Sequence, residues 1–235
     1  MNMFQVMVID DERLARAEVK RALADYPEFE MAGEAKNIKE AKEQIETKRP
    51  DLIFLDIQMP GGSGFDLLES LETVPTVVFT TAFDEYAVQA FEKEALDYLV
   101  KPLRRERFAK TIERVRKKLS SENESSGKRQ LFVKDGNRCH LVNLSEVHMV
   151  ESLDNYARLY FGNKTTCIKR SLNQMEKTLD SKLFFRINRA QIVNTSFIKE
   201  VDVLPKGRLM LRLQTGESLS VSERQSVLFK KFRQT

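Results

Sequence analysis

Runs of consecutive apolar residues mark strands along the first half of the chain. The run from Leu52 to Leu55 shows no polar alternation, which predicts a strand buried on both faces of a parallel sheet. Apolar runs also predict strands at Phe4–Ile9 and Thr76–Phe79, and shorter or less regular segments predict strands at Phe29–Ala35 and Asp97–Val100. The intervening segments predict helices at Arg13–Ala24, Ile38–Lys48, Phe65–Leu71, Glu85–Glu92 and Arg104–Leu119. Strands that alternate with helices in this way are typical of a doubly wound α/β fold.

The pattern changes after residue 119. The segment Ser120–Gly127 is polar, rich in serine and without periodicity, which predicts a linker over residues 120–128. From residue 129 to 235, strand-length segments and turn signals predominate, which predicts a mostly β second domain and makes a helix-turn-helix a poor fit. The predicted strands are Leu131–Val133, Cys139–Val142, Tyr156–Phe161, Thr165–Lys169, Gln191–Asn194, Leu209–Leu213 and Ser218–Val221, and the predicted helices are Leu172–Leu179 and Glu223–Phe232.

Composition narrows the class of protein only modestly. A length of 235 residues with 41% hydrophobic content is typical of one or two ordinary globular domains. No stretch approaches the roughly 18 apolar residues of a membrane span, and the first strand lacks the features of a signal peptide, so we expect a cytoplasmic protein. Cys139, Cys167, His140 and His148 have no metal-ligand spacing around them, and we interpret all four as structural.

Charge is distributed unevenly between the two halves. Residues 1–119 hold 19 Lys and Arg against 23 Asp and Glu, a net charge of −4. Residues 120–235 hold 20 against 12, a net charge of +8, so the whole-chain value of +4 conceals two oppositely charged halves. This asymmetry favours an anionic partner for the second half, with nucleic acid as the leading candidate.

Polar residues stand at the ends of four of the predicted strands. Asp56 follows the run at Leu52–Leu55, Asp10 and Asp11 with Glu12 follow the first strand, and Thr80, Thr81 and Lys101 follow two later ones. In an open α/β sheet this edge is where ligands bind. Carboxylates are hard oxygen ligands suited to Mg²⁺, while a hydroxyl and a lysine can hold phosphoryl oxygens.

This combination of fragments resembles the receiver domain of response regulators, which has a flavodoxin-like (CheY-like) fold with strand order 2-1-3-4-5. The resemblance covers residues 1–119 and implies that Asp56 is the phosphoacceptor. It also implies that Asp11, Asp56 and the backbone carbonyl of Gln58 hold Mg²⁺, with Asp10 assisting indirectly. Switch roles fall on Thr81, with Thr80 as the alternative, on Tyr98 and on Lys101, and a cis bond is expected before Pro102.

Charge explains why such a site needs cations. An aspartate is a poor nucleophile towards another anion unless cations screen the incoming phosphoryl oxygens, which gives Mg²⁺ and Lys101 a role. The product would be an aspartyl phosphate whose added charge Thr81 and Lys101 could bind, shifting a two-state equilibrium. We therefore expect a phosphoacceptor switch with slow self-dephosphorylation rather than a turnover enzyme.

Four phrases in the second half resemble the LytTR-type DNA-binding domain, an elongated β-sheet fold. They occur in order as Val150–Ser152 with Asn155–Tyr156, Arg170–Leu172, Phe184–Asn194 and Leu219–Arg224. The family's common R-x-H-R-S-Y reads here as Arg186 to Gln191, with Asn188 and Ala190 in place of His and Ser. The resemblance implies DNA contact through loops that carry Ala157 with Arg158, Lys169, Arg170, Asn188, Arg189, Ser222 and Arg224. Arg189 is the first candidate for reading a base, because arginine suits a guanine edge.

Together these features predict a response regulator of a two-component system. A sensor histidine kinase would phosphorylate Asp56, and the β domain would bind promoter DNA, as a homodimer on repeated half-sites when phosphorylated. The dimer face would combine the predicted helices Glu85–Glu92 and Arg104–Leu119 with the strand Asp97–Val100. Two alternatives remain open: a basic domain that binds an acidic protein, and a hydrolase of the same fold. A hydrolase would need an acid/base carboxylate two residues after Asp56, and this chain has Gln58 there.

Overall fold

The computed structural model describes residues 3–82, 97–123, 130–135 and 138–232. The chain divides into two compact units, Met1–Leu141 and Val142–Thr235, and each is described here by itself. The predicted helix Glu85–Glu92 and the predicted linker from residue 124 to 128 lie outside the described residues. Among the described helices, none combines the length and the apolar character that a membrane crossing requires.

A five-stranded parallel sheet forms the centre of the first unit. The unit begins with β1 (Phe4–Ile9), β2 (Phe29–Ala35), β3 (Leu52–Asp56), the two-residue strands β4 (Gln58–Met59) and β5 (Gly62–Ser63), β6 (Thr76–Thr81) and β7 (Asp97–Val100). The order in the sheet is β2-β1-β3-β6-β7, which confirms the predicted flavodoxin-like fold. The strand order reverses between β1 and β3, so a crevice opens there at the carboxyl ends of the strands.

Helices cover both faces of this sheet because its strands alternate their side chains between two apolar layers. The helices are α1 (Arg13–Leu23), α2 (Ile38–Lys48), α3 (Gly64–Ser70) and α4 (Arg105–Asn123). Phe4, Val6 and Val8 pack with α1 and α4, while Met7 and Ile9 pack with α2 and α3. Helix α4 is also held to β7, since the Thr111 hydroxyl donates to Asp97 Oδ2 at 2.7 Å.

The end of α4 and the start of the next strand differ from the prediction. Helix α4 reaches Asn123 instead of stopping at Leu119, because no glycine or proline interrupts the chain before Gly127. Strand β8 (Gln130–Asp135) pairs with β9 (Arg138–Asn143), and Val74 N donates to Gln130 O at 2.9 Å. The compact division thus falls after Leu141, beyond the predicted domain start at residue 129.

Phe132 explains why β8 belongs to the first unit. Its side chain is buried in the same apolar cluster as α3, and its ring stacks on Phe65 with centroids 6.1 Å apart. Phe65 in turn contacts Phe79 at 5.1 Å, and Phe79 stacks on Tyr98 at 5.3 Å. A row of four aromatic rings therefore runs from β7 to the strand that follows the predicted linker.

Replacing Phe132 with alanine should destabilise the first unit. Truncating a buried phenylalanine typically costs about 3–5 kcal/mol, because contacts are lost and a cavity remains. The free energy of unfolding of the first unit, followed by hydrogen exchange of the β6 amides, measures the effect. Leu14→Ala is the control, since Leu14 is 76% exposed on α1 and its loss should change stability by less than about 0.5 kcal/mol. Equal protection in the two variants would contradict the assigned packing.

The described part of the second unit contains two sheets. Its strands are β10 (Val147–Leu153), β11 (Tyr156–Phe161), β12 (Lys164–Ile168), β13 (Phe184–Arg186), β14 (Gln191–Asn194), β15 (Ile198–Val203), β16 (Leu209–Leu213) and β17 (Ser218–Ser220). A five-stranded sheet has the order β12-β11-β10-β14-β13, and a three-stranded sheet has the order β15-β16-β17. The helices are α5 (Leu172–Thr178) and α6 (Glu223–Phe232). The mostly β second domain is thus confirmed.

The core of this unit lies between its two sheets. Met149 and Val193 from the larger sheet pack against Leu209, Leu211 and Leu213 from β16, and Phe229 of α6 completes the cluster. Strands β10, β13 and β15 were not predicted from the sequence. Strand β10 is the middle strand of its sheet and carries His148 and Glu151 among apolar residues, which obscures the alternation. Strand β15 is half-exposed and strongly charged, so its apolar signal is weak.

Candidate functional sites

Three carboxylates meet at the carboxyl edge of the parallel sheet. Asp56 ends β3, while Asp10 and Asp11 directly follow β1, the neighbouring strand. One oxygen from each carboxylate lies within 4.8 Å of the others, in a group that could hold a metal ion. Asp10 and Asp56 are buried and Asp11 is exposed. The sheet thus delivers the predicted acidic residues to one point, beside the crevice between β1 and β3.

Lys101 lies between two of these carboxylates. Its Nζ is 2.7 Å from Asp10 Oδ2 and 3.2 Å from Asp56 Oδ2. The backbone holds this residue beside β6, because Lys101 N donates to Thr81 O at 2.8 Å. The peptide bond to Pro102 is cis, as expected from the sequence. One ammonium group therefore faces both buried carboxylates.

Burial and neighbouring charges shift the pKa values of Asp56 and Lys101 in the pocket. It raises the pKa of the Asp56 carboxyl; the charge of Lys101 lowers this pKa and that of Asp10 raises it, with a net increase. Burial lowers the pKa of Lys101, but its hydrogen bond and charge interactions with Asp10 and Asp56 outweigh that effect and leave it raised. The pocket consequently favours additional positive charge beside Asp56.

The other predicted receiver residues line or border the same cleft. The cleft has a volume of about 590 Å³, and its lining includes Asp56, Gln58, Thr81 and Lys101. Thr80 pairs with Asp56 across the β3–β6 ladder and is not among the lining residues, which favours Thr81 as the hydroxyl that faces the cleft. Tyr98 lies half-buried on β7, where its ring stacks on Phe79.

Gly64 supports the site in a way that the sequence analysis did not identify. In the structure Gly64 N donates to Ile57 O at 2.9 Å, and a Cβ on Gly64 would lie 2.4 Å from the carbonyl oxygen of Asp56. Only glycine allows α3 to begin this close to the phosphoacceptor candidate.

The raised pKa of Asp56 predicts that Asp56→Asn stabilises the metal-free protein. The folded protein favours the protonated carboxyl, so a protein with Asp56 loses stability as the pH rises through the raised pKa of that group. The gain from Asp56→Asn should therefore grow with rising pH, level off above that pKa, and shrink in acid. Urea unfolding with EDTA from acid to alkaline pH measures the difference. Asp25→Asn removes an exposed carboxylate and should change stability by less than about 0.5 kcal/mol. A wild-type protein more stable than Asp56→Asn at the alkaline end would contradict the account.

The second unit places the predicted DNA-contact residues on four separate segments. Ala157 and Arg158 belong to strand β11 and not to a loop, and Ala157 is completely buried, so it cannot contact DNA as predicted. Arg158 lies on the other face of β11, opposite Glu151 and Cys167 in the neighbouring strands. The remaining candidates follow β12, connect β13 to β14, and begin α6.

Among these candidates, Lys169, Arg189 and Arg224 have exposed side chains, whereas Arg170 and Ser222 are half-buried. Within the described ranges, no ion pair involves Arg189. Glu151 and Glu200 have other partners: Glu151 accepts from Tyr160 and Gln191, and Glu200 contacts Arg212. Arg189 is therefore presented to solvent.

Asn188 uses its amide within the domain. Its Nδ2 donates to Gln191 Oε1 at 3.0 Å and to Ser220 O at 3.1 Å, and its Oδ1 accepts from Ala190 N at 2.9 Å. Bidentate recognition of adenine would need the same donor and acceptor. The geometry therefore favours a structural role for Asn188 beside Arg189.

His148 and Cys167 belong to the second unit, whereas the carboxylate pocket belongs to the first. His148 is buried in the second unit near Tyr160 and Phe197, and its Nε2 is 3.2 Å from Glu217 Oε1. Cys167 is a free thiol on β12. In the part of the chain that the structure describes, only the three carboxylates of the pocket form a metal-ligating group.

Comparison with known proteins matches both halves to family models. Residues 6–113 match the response regulator receiver domain and residues 137–234 match the LytTr DNA-binding domain. An uncharacterized response regulatory protein of Vibrio cholerae is 36% identical over 94% of this chain and 95% of its own length. The sensory transduction protein LytT of Bacillus subtilis is 32% identical over 94% and 95%. The transcriptional regulatory protein BtsR of Salmonella typhimurium is 34% identical over 94% and 95%.

Proposed function

Because the chain belongs to the two-component response regulators that join a receiver domain to a LytTR DNA-binding domain, we propose that phosphorylation of Asp56 controls its binding to promoter DNA. A sensor histidine kinase is the proposed phosphodonor, and regulation of transcription is the output. The observation that supports this most directly is the meeting of Asp10, Asp11 and Asp56 with Lys101 at one sheet edge.

We assign the receiver function to residues 1–119 and DNA binding to residues 129–235, with residues 120–128 between them. The two matched ranges, 6–113 and 137–234, fall within these limits. We propose that phosphorylation and DNA binding both take place in the cytoplasm.

The residues of the pocket fit a magnesium ion. Asp11, Asp56 and the backbone carbonyl of Gln58 would hold Mg²⁺, and Asp10 would assist from its buried position. Hard carboxylate oxygens suit this ion, and one oxygen from each of the three carboxylates lies within 4.8 Å of the others. When bound, Mg²⁺ would supply positive charge that screens the oxygens of an incoming phosphoryl group.

Phosphoryl transfer in this proposal forms one bond and breaks another. A carboxylate oxygen of Asp56 attacks phosphorus, and the bond from phosphorus to the kinase histidine breaks, with its electron pair remaining on the imidazole nitrogen. Lys101 is already 3.2 Å from Asp56 and can pair with a phosphoryl oxygen. Slow attack by water on the aspartyl phosphate would return the protein to its initial state.

Thr81, Tyr98 and Lys101 are the proposed switch residues. Thr81 lines the cleft and its hydroxyl can donate to a new phosphoryl oxygen, while Lys101 exchanges part of its contact with Asp10 for the added charge. A movement of Thr81 towards the phosphate would leave space beside Tyr98. The ring of Tyr98 packs on Phe79, which lies on β6 together with Thr81. This coupling shifts the population of two states of the receiver.

Labelling with a small phosphodonor tests the phosphoacceptor assignment. Asp56→Ala should abolish incorporation because the nucleophile is removed, and EDTA should suppress incorporation in the wild type. Intact-protein mass spectrometry after incubation with acetyl phosphate and Mg²⁺ provides the measurement. Asp25→Ala is the matched control, since it removes an exposed carboxylate and should label as the wild type does. Undiminished labelling of Asp56→Ala would refute the assignment.

The proposed DNA surface includes Arg158, Lys169, Arg170, Arg189, Ser222 and Arg224, with Asn188 holding its neighbours. Arginine can read a guanine edge, while lysine and serine more often contact phosphates. The proposed complex on DNA is a phosphorylated homodimer on repeated half-sites, because one module with few reading side chains gives limited affinity and specificity.

Arg189→Ala should weaken binding to a specific site by roughly 1–3 kcal/mol and leave non-specific binding much less affected, if Arg189 reads a base. Affinities for a selected duplex and for a scrambled duplex, measured by fluorescence anisotropy at a single salt concentration, separate the two effects. Lys39→Ala removes one exposed charge from the first unit and is the charge-matched control. Equal weakening on both duplexes would identify Arg189 as a phosphate contact.

A further inference from the structure

Arg186 braces the connection between β13 and β14 from inside the domain. Its Nε donates to Asn188 O at 3.2 Å and its Nη2 donates to Arg189 O at 3.0 Å. The guanidinium therefore holds two consecutive carbonyl groups on either side of the Arg189 backbone. Only 20% of the Arg186 side chain is exposed, whereas Arg189 is exposed.

The other end of the Arg186 guanidinium is attached to α5. Nη1 donates to Asn173 Oδ1 at 2.6 Å and to Glu176 Oε2 at 2.8 Å. Four of the five N–H groups of this side chain are thus engaged within the domain. Arg186 could not read a base without giving up these bonds.

Asn188 connects the loop between β13 and β14 to the segment that carries Ser222 and Arg224. Its amide bonds fix Ala190 N and reach Ser220 O on β17, two residues before Ser222. The backbone adds a parallel link, since Ser222 N donates to Ile187 O at 3.0 Å. The segments that carry Arg170, Arg189 and Arg224 are therefore joined through α5, the loop and β17.

We propose that Arg186 and Asn188 are positioning residues that set the orientation of Arg189 for DNA recognition. This inference rests on the proposed DNA-binding function. The salt bridge to Glu176 is not the important part, because a half-exposed ion pair contributes little to stability. The two hydrogen bonds to carbonyl groups matter, because they require the planar fork of arginine, which lysine cannot reproduce.

Arg186→Lys tests this role because it keeps the charge and removes the fork. We expect the affinity for a selected duplex to fall about tenfold or more while the affinity for a scrambled duplex is retained, because a loosened Arg189 still contacts phosphates but no longer a fixed base edge. Arg212→Lys is the control: Arg212 contacts the carboxylates of Glu200 and Asp202, as Arg186 contacts that of Glu176, and the structure describes no bond from Arg212 to a carbonyl group of the loop. Parallel losses on both duplexes, or no loss on either, would overturn the proposal.

A double-mutant cycle separates positioning from a general loss of structure. If Arg186 acts through Arg189, Arg186→Lys should have little further effect on specific binding once Arg189 is alanine. Fully additive losses would overturn the proposal.

A measurement without DNA keeps this inference distinct from the proposed function. Hydrogen exchange at the Ala190 amide, which donates to Asn188 Oδ1, should accelerate in Arg186→Lys and stay unchanged in Arg212→Lys. Unchanged exchange in Arg186→Lys would overturn the inference even if DNA binding is demonstrated. A wild-type protein that binds no duplex specifically would refute the proposed function and, with it, the role of this brace in recognition.

Discussion

The burial of two aspartates against one lysine is the constraint on which the first unit depends. Asp10 and Asp56 lie at the ends of adjacent buried strands, and the ammonium group of Lys101 lies between them and pairs with both. Backbone N–H groups of Glu12 and Gln58 also donate to these carboxylates. Every element around the pocket contributes to that arrangement. The parallel register of β1 and β3 brings the carboxylates together, and β7 brings the lysine. The three carboxylates of the pocket outnumber its one lysine, which makes the site suitable for a cation and, with that cation, for a phosphoryl group.

Much of this first unit could be predicted because its local signals agree. Apolar runs fixed the strands, and polar residues at their carboxyl ends indicated the pocket, including Asp56 and Lys101. Helix α4 is longer than predicted, because polar residues such as Ser120 weaken the apolar periodicity that marks a helix but do not end the helix. The requirement for Gly64 could not be predicted, because it arises from the approach of α3 to the Asp56 carbonyl, which only the folded chain brings about.

The second unit was harder to predict because its surface residues have mixed roles. The order of phrases indicated a DNA-binding β domain, but β10 was missed, since a central strand that carries His148 and Glu151 lacks a simple pattern. Sequence alone also could not distinguish Arg186 from Arg189. Both are arginines in one short phrase, yet the first is engaged with backbone carbonyl groups and the second is exposed. Such a division of labour depends on the path of the loop, which residue types do not reveal.

Selection from a random duplex DNA pool, with full-length protein in the presence and absence of beryllofluoride, measures whether Asp56 controls DNA binding. Beryllofluoride mimics the phosphoryl group at Asp56. We expect enrichment of two spaced, similarly oriented half-sites with the mimic, and much weaker enrichment without it. Failure to enrich any sequence under either condition would contradict control of DNA binding through Asp56, and would favour a basic domain that binds an acidic protein.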